Sequence, residues 1–411
     1  MVGRPWTGPR TSPTPCPQRW LALDPLSSPL LDHSDLTADQ SAVGLVDVLP
    51  ALARSLGTAV PGRGGGWTAT PARRAVVVLI DGLGAALLRR RAGHAPFLRQ
   101  LLATMPQAIC GYPTTTATSM GTFGTGLPSG AHGLLGYEVL DPSRDQVFNE
   151  LSWEDGPVPE HWQDQRTVFE IAAADDVVVT RIGPGFFDGS GLTRAALRGG
   201  RFIAADSLAA RVQAAVTAAS RGPRTLTYLY WGDLDKVGHV HGCASWQWGD
   251  ELESIDRDLQ RLAQRLPQDC SLTITADHGM IDVAHADRLD LAHEPALAAG
   301  LRHVAGEPRS PHLHVQPGAL DDVAAAWSAR LGPDATLLRR DEAIAAGLFG
   351  PVRDVLRPRI GDLTVLLGPD KAVVDSRTMR PQLLALVGLH GSTTVDETAI
   401  PVLHLAARAV A

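Results

Sequence analysis

Short apolar runs that stop abruptly at a polar residue recur along this chain. Ala75-Val76-Val77-Val78-Leu79-Ile80 ends at Asp81-Gly82-Leu83-Gly84, and Val177-Val178-Val179-Thr180 has the same β-branched character. Thr225 to Trp231 leads into Gly232-Asp233-Leu234-Asp235, and Ser271 to Ala276 into Asp277-His278-Gly279-Met280. Apolar runs of this length predict strands buried on both faces, as in a parallel sheet. Between and before them lie stretches of helical spacing at Val43 to Leu56, Ser207 to Ala219 and Trp248 to Leu266, the last with Leu252, Ile255, Leu259 and Leu262 on one stripe. The pattern predicts an α/β fold with a mostly parallel central sheet, in which ligands gather at the C-terminal ends of the strands.

The rhythm is not uniform. Residues 1–70 open as a Pro-rich arm, carry the helix from Val43, and close on the flexible Pro61-Gly62-Arg63-Gly64-Gly65-Gly66. Residues 291–380 lack the strand-then-carboxylate signature and contain the alternating Ser310-Pro311-His312-Leu313-His314-Val315, so they read as an inserted smaller cap. His312 and His314 share one side of that strand, and two histidines on a surface strand carry no chemistry by themselves. A further strand is expected at Arg359 to Leu367 and a terminal one near Pro401 to Leu405. The expected organisation is an arm and helix over 1–70, a core over 71–290 plus 381–411, and a cap over 291–380.

Composition narrows the function. With 411 residues, 44% of them apolar, the chain can bury one large core and a subsidiary one. A formal net charge of -7, with Arg89-Arg90-Arg91 read as a solvated helix face and no aromatic platform, argues against a polymeric nucleic acid as partner but leaves a mononucleotide open. The cysteines, Cys16, Cys110, Cys243 and Cys270, have no paired spacing and are expected as reduced thiols. The first forty residues show neither a secretory signal nor a membrane anchor, so a cytoplasmic protein is expected. Nothing in the sequence sets an oligomeric state.

Four stretches carry candidate chemistry. Gly111-Tyr112-Pro113-Thr114-Thr115-Thr116-Ala117-Thr118-Ser119-Met120-Gly121 places a hydroxyl-rich run at the start of a short helix whose buried face is Ala117, Met120 and Phe123. There unpaired first-turn amides and the helix dipole favour a phosphate or a developing alkoxide, although the same hydroxyls would serve as caps. In the second stretch Asp235 and His239 are four apart and would share one helical face, with Asp233 and His241 as the competing pair. Asp277-His278 delivers two ligand types from one strand end, and His390 lies in a glycine-flanked loop, Gly388-Leu389-His390-Gly391. Three carboxylates, Asp81, Asp235 and Asp277, converging in one crevice would be costly without counter-charge, which two divalent cations would supply.

Taken together, these motifs resemble the alkaline phosphatase superfamily, and within it the nucleotide pyrophosphatase/phosphodiesterase-like branch. The matching features are Asp81-Gly82, the Pro-Thr-x-Thr stretch with Thr125-Gly126-Leu127 and His132-Gly133 downstream, Asp235-x-x-Gly-His239, Asp277-His278-Gly279-Met280 and Gly388-Leu389-His390-Gly391. The resemblance implies a three-layer sandwich with an inserted cap. It implies one zinc held by Asp235, His239 and His390, and a second held by Asp81, Asp277 and His278 with Thr116 as nucleophile beside it. Manganese would also tolerate these donors.

Under that resemblance the metal stabilises the Thr116 alkoxide, which attacks phosphorus, and first-turn amides near Ala117 hold the equatorial oxygens. The expected substrate is a small phosphodiester or pyrophosphate of nucleotide-like character. Two departures from the family pattern matter. Thr118-Ser119-Met120 replaces its Pro-Asn-His, and the asparagine that holds a phosphate oxygen falls near Gly136-Tyr137, where the Tyr137 hydroxyl would stand in. The alternatives are a phosphomonoesterase or a phosphonate hydrolase of the same superfamily, and further off a metal-dependent phosphomutase, which uses serine.

Overall fold

The computed structural model describes residues 43–61, 66–104, 106 and 108–408. The Pro-rich arm and most of the glycine-rich connection lie outside the described residues. In chain order, the elements that build the molecule begin with helix α1 (Leu45–Ser55), strand β1 (Arg74–Ile80) and helix α2 (Thr116–Thr125). The hairpin β2 (Glu138–Asp141) and β3 (Gln146–Asn149) follows, then β4 (Val178–Gly183), β5 (Arg201–Ala204), α3 (Leu208–Ala219) and β6 (Thr225–Trp231). Next come α4 (Asp233–His241), α5 (Trp246–Arg265), β7 (Cys270–Thr275), and the hairpin β8 (Leu301–Glu307) and β9 (Ser310–Val315). The last are β10 (Ala335–Arg339), β11 (Leu363–Leu367) and β12 (Val402–Leu405).

Six strands form the central sheet in the order β12-β7-β1-β6-β4-β5. β1 runs parallel to both neighbours, with Val77 opposite Tyr228 on β6 and Thr273 on β7. Ala75 to Ile80 are each 0% exposed, which is why their apolar run shows no alternation. β12 departs from the parallel rule and closes one edge antiparallel to β7. β5 was not expected from the sequence. As an edge strand, Arg-Phe-Ile-Ala with its side chains exposed or half-buried, it lacks the apolar signature of the central strands.

Helices cover both faces, giving the expected layers. α3 packs on β4 and β6 and against α5. On the other face α2 sits over the sheet through Phe123, whose ring centroid is 5.3 Å from that of Tyr228 and 6.3 Å from that of Phe169. α1 lies on α2 with its residues Leu45 to Ala53 buried.

A second six-stranded sheet, antiparallel throughout, has the order β10-β11-β9-β8-β2-β3. Its own apolar cluster includes Leu297, Leu313, Trp327, Leu363 and Val365. Four of its strands come from the segment expected as a cap, while β2 and β3 come from the segment assigned to the core, joined through Gly306 opposite Glu138. His312 and His314 are not on a surface strand. Both are buried, and His312 Nε2 lies 3.2 Å from the Tyr112 hydroxyl beneath the Thr-rich loop. Among the described residues no helix is long and apolar enough to cross a membrane.

Candidate active site

The three central strands bring their C-terminal ends together. The Asp81 amide continues the ladder beyond β1 to the Trp231 carbonyl at 2.9 Å, and Gly82, at φ +72°, then turns the chain so that its own amide donates to Asp277 Oδ1 at 3.1 Å. Helix α4 starts at Asp233 just after β6, and one turn places His239 Nε2 3.3 Å from Asp235 Oδ2. His390 follows the short strand Gly388–Leu389, which pairs antiparallel with Ile281–Asp282 directly downstream of Asp277-His278. His390 is therefore delivered by a loop docked on the β7 exit, not by a parallel strand end. Its ring stacks on that of His278 with centroids 3.8 Å apart.

Helix α2 begins at Thr116, with Thr115 as its extended N-cap residue. The Thr116 Oγ1 lies 3.2 Å from His278 Nε2. Thr116, Ala117 and Thr118 occupy the first turn, where helix geometry leaves amides without an intrahelical acceptor. Ala117 is buried, and Ser119 anchors the turn by donating to the Asp277 carbonyl at 2.7 Å.

All three imidazoles are held in the same way. His278 Nδ1 faces the Gly279 carbonyl at 3.0 Å, His239 Nδ1 the Gly388 carbonyl at 2.7 Å, and His390 Nδ1 the Thr114 carbonyl at 2.7 Å. A carbonyl only accepts, so each ring carries its proton on Nδ1 when neutral and turns the Nε2 lone pair into the crevice. Outer hydrogen bonds of this kind orient histidines that bind metal.

The carboxylates are arranged to match. Asp81 Oδ1, Asp235 Oδ1 and Asp277 Oδ2 are buried without a hydrogen-bond partner. His278 Nε2 is 3.5 Å from Asp81 Oδ1 and 3.4 Å from Asp277 Oδ2, and His390 Nε2 is 4.0 Å from Asp235 Oδ1. Two ligands on one tetrahedral zinc, each about 2.0–2.1 Å from it, stand roughly 3.3 Å apart, so these spacings suit atoms that share a cation. Donor atoms of Asp81, Asp277 and His278 all fall within 4.8 Å of one another, as do those of Asp235, His278 and His390. His239 meets Asp235 through the other oxygen, Oδ2.

Electrostatics points the same way. Burial, together with the Asp277 and Asp235 charges, pushes the Asp81 carboxyl well above its ordinary value, and burial pushes Asp277 up to about 7. Burial also raises Asp235, but the facing His239 and His390 more than offset this and hold it below the usual carboxylate range. Burial and the neighbouring imidazoles His278 and His239 drive His390 well below an ordinary histidine. The protein alone cannot satisfy all of these groups, and a bound cation would.

Other expected residues lie at different distances from this cluster. Asp233 pairs with Lys236 at 3.1 Å and His241 is exposed beside Gln247, so the competing pair stays outside it. Tyr137 is half-buried, with its side chain beside that of Asn149, and its amide donates to Glu307 Oε1 at 2.7 Å. Two contributors were missed. The Tyr230 hydroxyl donates to Asp81 Oδ2, and Glu307, at the end of β8, accepts the Tyr137 amide and packs against Gly391 beside His390. Tyr230 lay hidden in a run read only as buried strand, and no local signal marks Glu307.

The chain is similar to known proteins both in sequence pattern and in fold. Residues 75–393 match the family model of type I phosphodiesterase / nucleotide pyrophosphatase. A search of curated proteins finds no match by sequence. Among solved structures, human ectonucleotide pyrophosphatase / phosphodiesterase 5 is 19% identical with a TM-score of 0.64, covering 81% of this chain and 88% of that one. The inactive murine form in complex with AMP is 17% identical with a TM-score of 0.64, covering 80% and 87%. Phosphonoacetate hydrolase from Sinorhizobium meliloti 1021, in complex with phosphonoacetate, is 17% identical with a TM-score of 0.64, covering 86% and 93%. The sandwich fold is common to all of them, and the family model spans well over half of the sequence. This chain therefore belongs to the type I phosphodiesterase / nucleotide pyrophosphatase family, metal-dependent hydrolases of phosphoester bonds.

Proposed function

We propose that the protein hydrolyses a phosphodiester or pyrophosphate of a small nucleotide-like molecule with two zinc ions, passing through a phosphorylated Thr116. The carrying observation is the convergence of unpartnered Asp81, Asp235 and Asp277 oxygens with three Nε2 lone pairs, of which that of His278 lies 3.2 Å from the Thr116 hydroxyl. Asp235, His239 and His390 would hold one ion, and Asp81, Asp277 and His278 the other. When bound, the ions supply Lewis acidity that lowers the pKa of a hydroxyl or water and neutralises charge on the phosphoryl oxygens.

The chain's own residues account for the rest. Thr116 Oγ1 forms a bond to phosphorus as the ester oxygen departs with its electron pair and takes up a proton, while the threonine proton passes to solvent. First-turn amides at Thr116 and Ala117 face the equatorial oxygens. Water then breaks the Oγ1–phosphorus bond, returning a proton to Thr116 and releasing the phosphate product. The Nδ1 bonds of His239, His278 and His390 keep the rings from rotating through both steps.

A diester is favoured over a monoester because, among the described residues, no Lys or Arg hydrogen-bonds or ion-pairs with any of the seven site residues. A dianionic monoester would call for such a cation, whereas a monoanionic diester does not. The test is p-nitrophenol release from bis-p-nitrophenyl phosphate by the zinc-loaded chain and by Thr116→Ala. Equal rates would overturn the nucleophile, and a higher kcat/KM for p-nitrophenyl phosphate would move the reading to a monoesterase.

A further inference from the structure

We infer that the tip of the β8–β9 hairpin, Glu307 to Ser310, positions both halves of the catalytic centre: Glu307 for the nucleophile and Arg309, acting through Glu397, for His390. This rests on the proposed reading of the site and extends it to residues that touch neither substrate nor metal.

Glu307 is 6% exposed. Its carboxylate lies beside the side chain of Thr115, the N-cap of the helix that Thr116 opens, and its Oε1 accepts the Tyr137 amide at 2.7 Å. Its stem presses on the residue after His390. A Cβ added to Gly391, itself at φ +134°, would stand 2.5 Å from Glu307 Cβ. Ser310, on the other side of the turn, meets the Tyr112 hydroxyl with its own at 2.6 Å, where the Thr-rich loop begins.

Arg309 is 0% exposed and forms a fork with Glu397, Nε to Oε1 at 3.1 Å and Nη2 to Oε2 at 2.9 Å. Its other donors reach the carbonyls of Gly368 at 2.6 Å, Leu367 at 3.2 Å and Lys371. Glu397, also 0% exposed, accepts the Ser392 amide at 3.0 Å and the Thr394 hydroxyl at 2.6 Å, fixing the loop just past His390. The Glu397 carbonyl takes the Gly279 amide at 2.8 Å, next to His278. Removing either partner of this fully buried ion pair would leave an uncompensated charge, and only the planar guanidinium offers enough donors in one plane to make these five contacts. The second sheet therefore does more than cover the crevice, because one of its turns holds the Thr-rich loop and the His390 loop in register.

The two arms predict separable failures in the full-length chain, read as zinc per chain by mass spectrometry and as kcat and KM on bis-p-nitrophenyl phosphate. Arg309→Met lowers bound zinc from two to one, and Arg309→Lys does not restore the second because an ammonium cannot fork. The double variant R309M/E397Q, with neither charge left buried, folds as judged by circular dichroism and still holds zinc at His390 more weakly than wild type. Glu307→Ala keeps both zincs and loses about tenfold or more in kcat with KM little changed, whereas Glu307→Gln, whose amide oxygen still accepts the Tyr137 N–H, stays near wild type. Two zincs of unchanged affinity in the double variant, or an unchanged kcat in Glu307→Ala, would overturn the inference. So would a loss of both zincs and of folded structure together in Glu307→Ala, which marks a merely structural role. A wild-type chain that takes up no metal would overturn the proposed function along with it.

Discussion

The Thr116 hydroxyl stands 3.2 Å from the Nε2 of His278, the nitrogen left free because Nδ1 is committed to the Gly279 carbonyl. The proposed nucleophile and this nitrogen thus face one another across the space a cation would enter. Thr116→Ser keeps an oxygen at this position, so it is expected to retain turnover within about one order of magnitude. Acid quenching during turnover, followed by peptide mass spectrometry, should find phosphate on the peptide that contains Thr116 and none in Thr116→Ala.

Removing metal should loosen the fold as well as stop the reaction. Three unpartnered carboxylate oxygens and the raised Asp81 and Asp277 make the free crevice a site of repulsion. Free zinc at a hundred times its dissociation constant stabilises the chain by about 2.7 kcal/mol per site. Thermal melts with and without a chelator should separate by several degrees. His390→Ala should reduce that separation without abolishing it.

Asp235 with His239, and not Asp233 with His241, faces the crevice. Asp233→Asn and His241→Gln should therefore bind zinc and turn over as wild type does. Asp235→Asn should lose zinc and fall by at least about a hundredfold in kcat/KM. Metal analysis beside kinetics checks both.

Burial pushes the His132 imidazole down to about 3, and its Nδ1 already accepts the Leu134 amide at 3.1 Å. The unfolded histidine has a pKa near 6.5. Between those values the unfolded chain binds a proton that the folded chain refuses. The stability due to a neutral His132 is whole above about pH 6.5 and is lost as pH falls toward 3, with a slope of at most about 1.4 kcal/mol per pH unit. His312 and His314, pushed by burial to about 4 and about 3, add to the slope. Urea titrations from pH 7 to pH 4 should show stability falling, and His132→Gln should flatten the decline whatever its stability at pH 7.

Phe123 is fully buried and binds α2 to the sheet through Tyr228 and to the helix Val168–Ala174 through Phe169. Phe123→Ala should cost about 3–5 kcal/mol, since the aromatic contacts go and a cavity remains. Denaturant melts measure the loss. Because the same helix carries Thr116, kcat should fall even where the variant remains folded.

How much of this was legible depends on whether the signal was local. The central strands were readable because Ala75 to Ile80 and Thr225 to Trp231 bury both faces and so carry no alternation. Asp235 and His239 were readable as one turn of helix, and Asp277-His278 as neighbours in sequence. β5 was not, because an edge strand needs no apolar run, and neither was the pairing of β2 with β8, which is made at the single register Gly306 opposite Glu138. Glu307 and Arg309 were invisible for a related reason. Their partners, Thr115 and Glu397, lie far away in sequence, and only the path of the hairpin brings them together.

The strands that precede Asp81, Asp235 and Asp277 are immediate neighbours in one ladder, so the sheet acts as a gauge for the carboxylates of the proposed metal site. Adjacent strands sit about 4.8 Å apart, and a slip of one residue along any of them moves a ligand by about 3.3 Å and turns it to the opposite face. The Asp81–Asp277 side of the proposed site is thus set by backbone hydrogen bonds, while Asp235 and His239 come from α4 and His390 from the loop after Gly388–Leu389. The spacing of Asp81 and Asp277 therefore cannot change without disturbing the middle of the fold, whereas the Asp235, His239 and His390 side can shift with one helix and one loop.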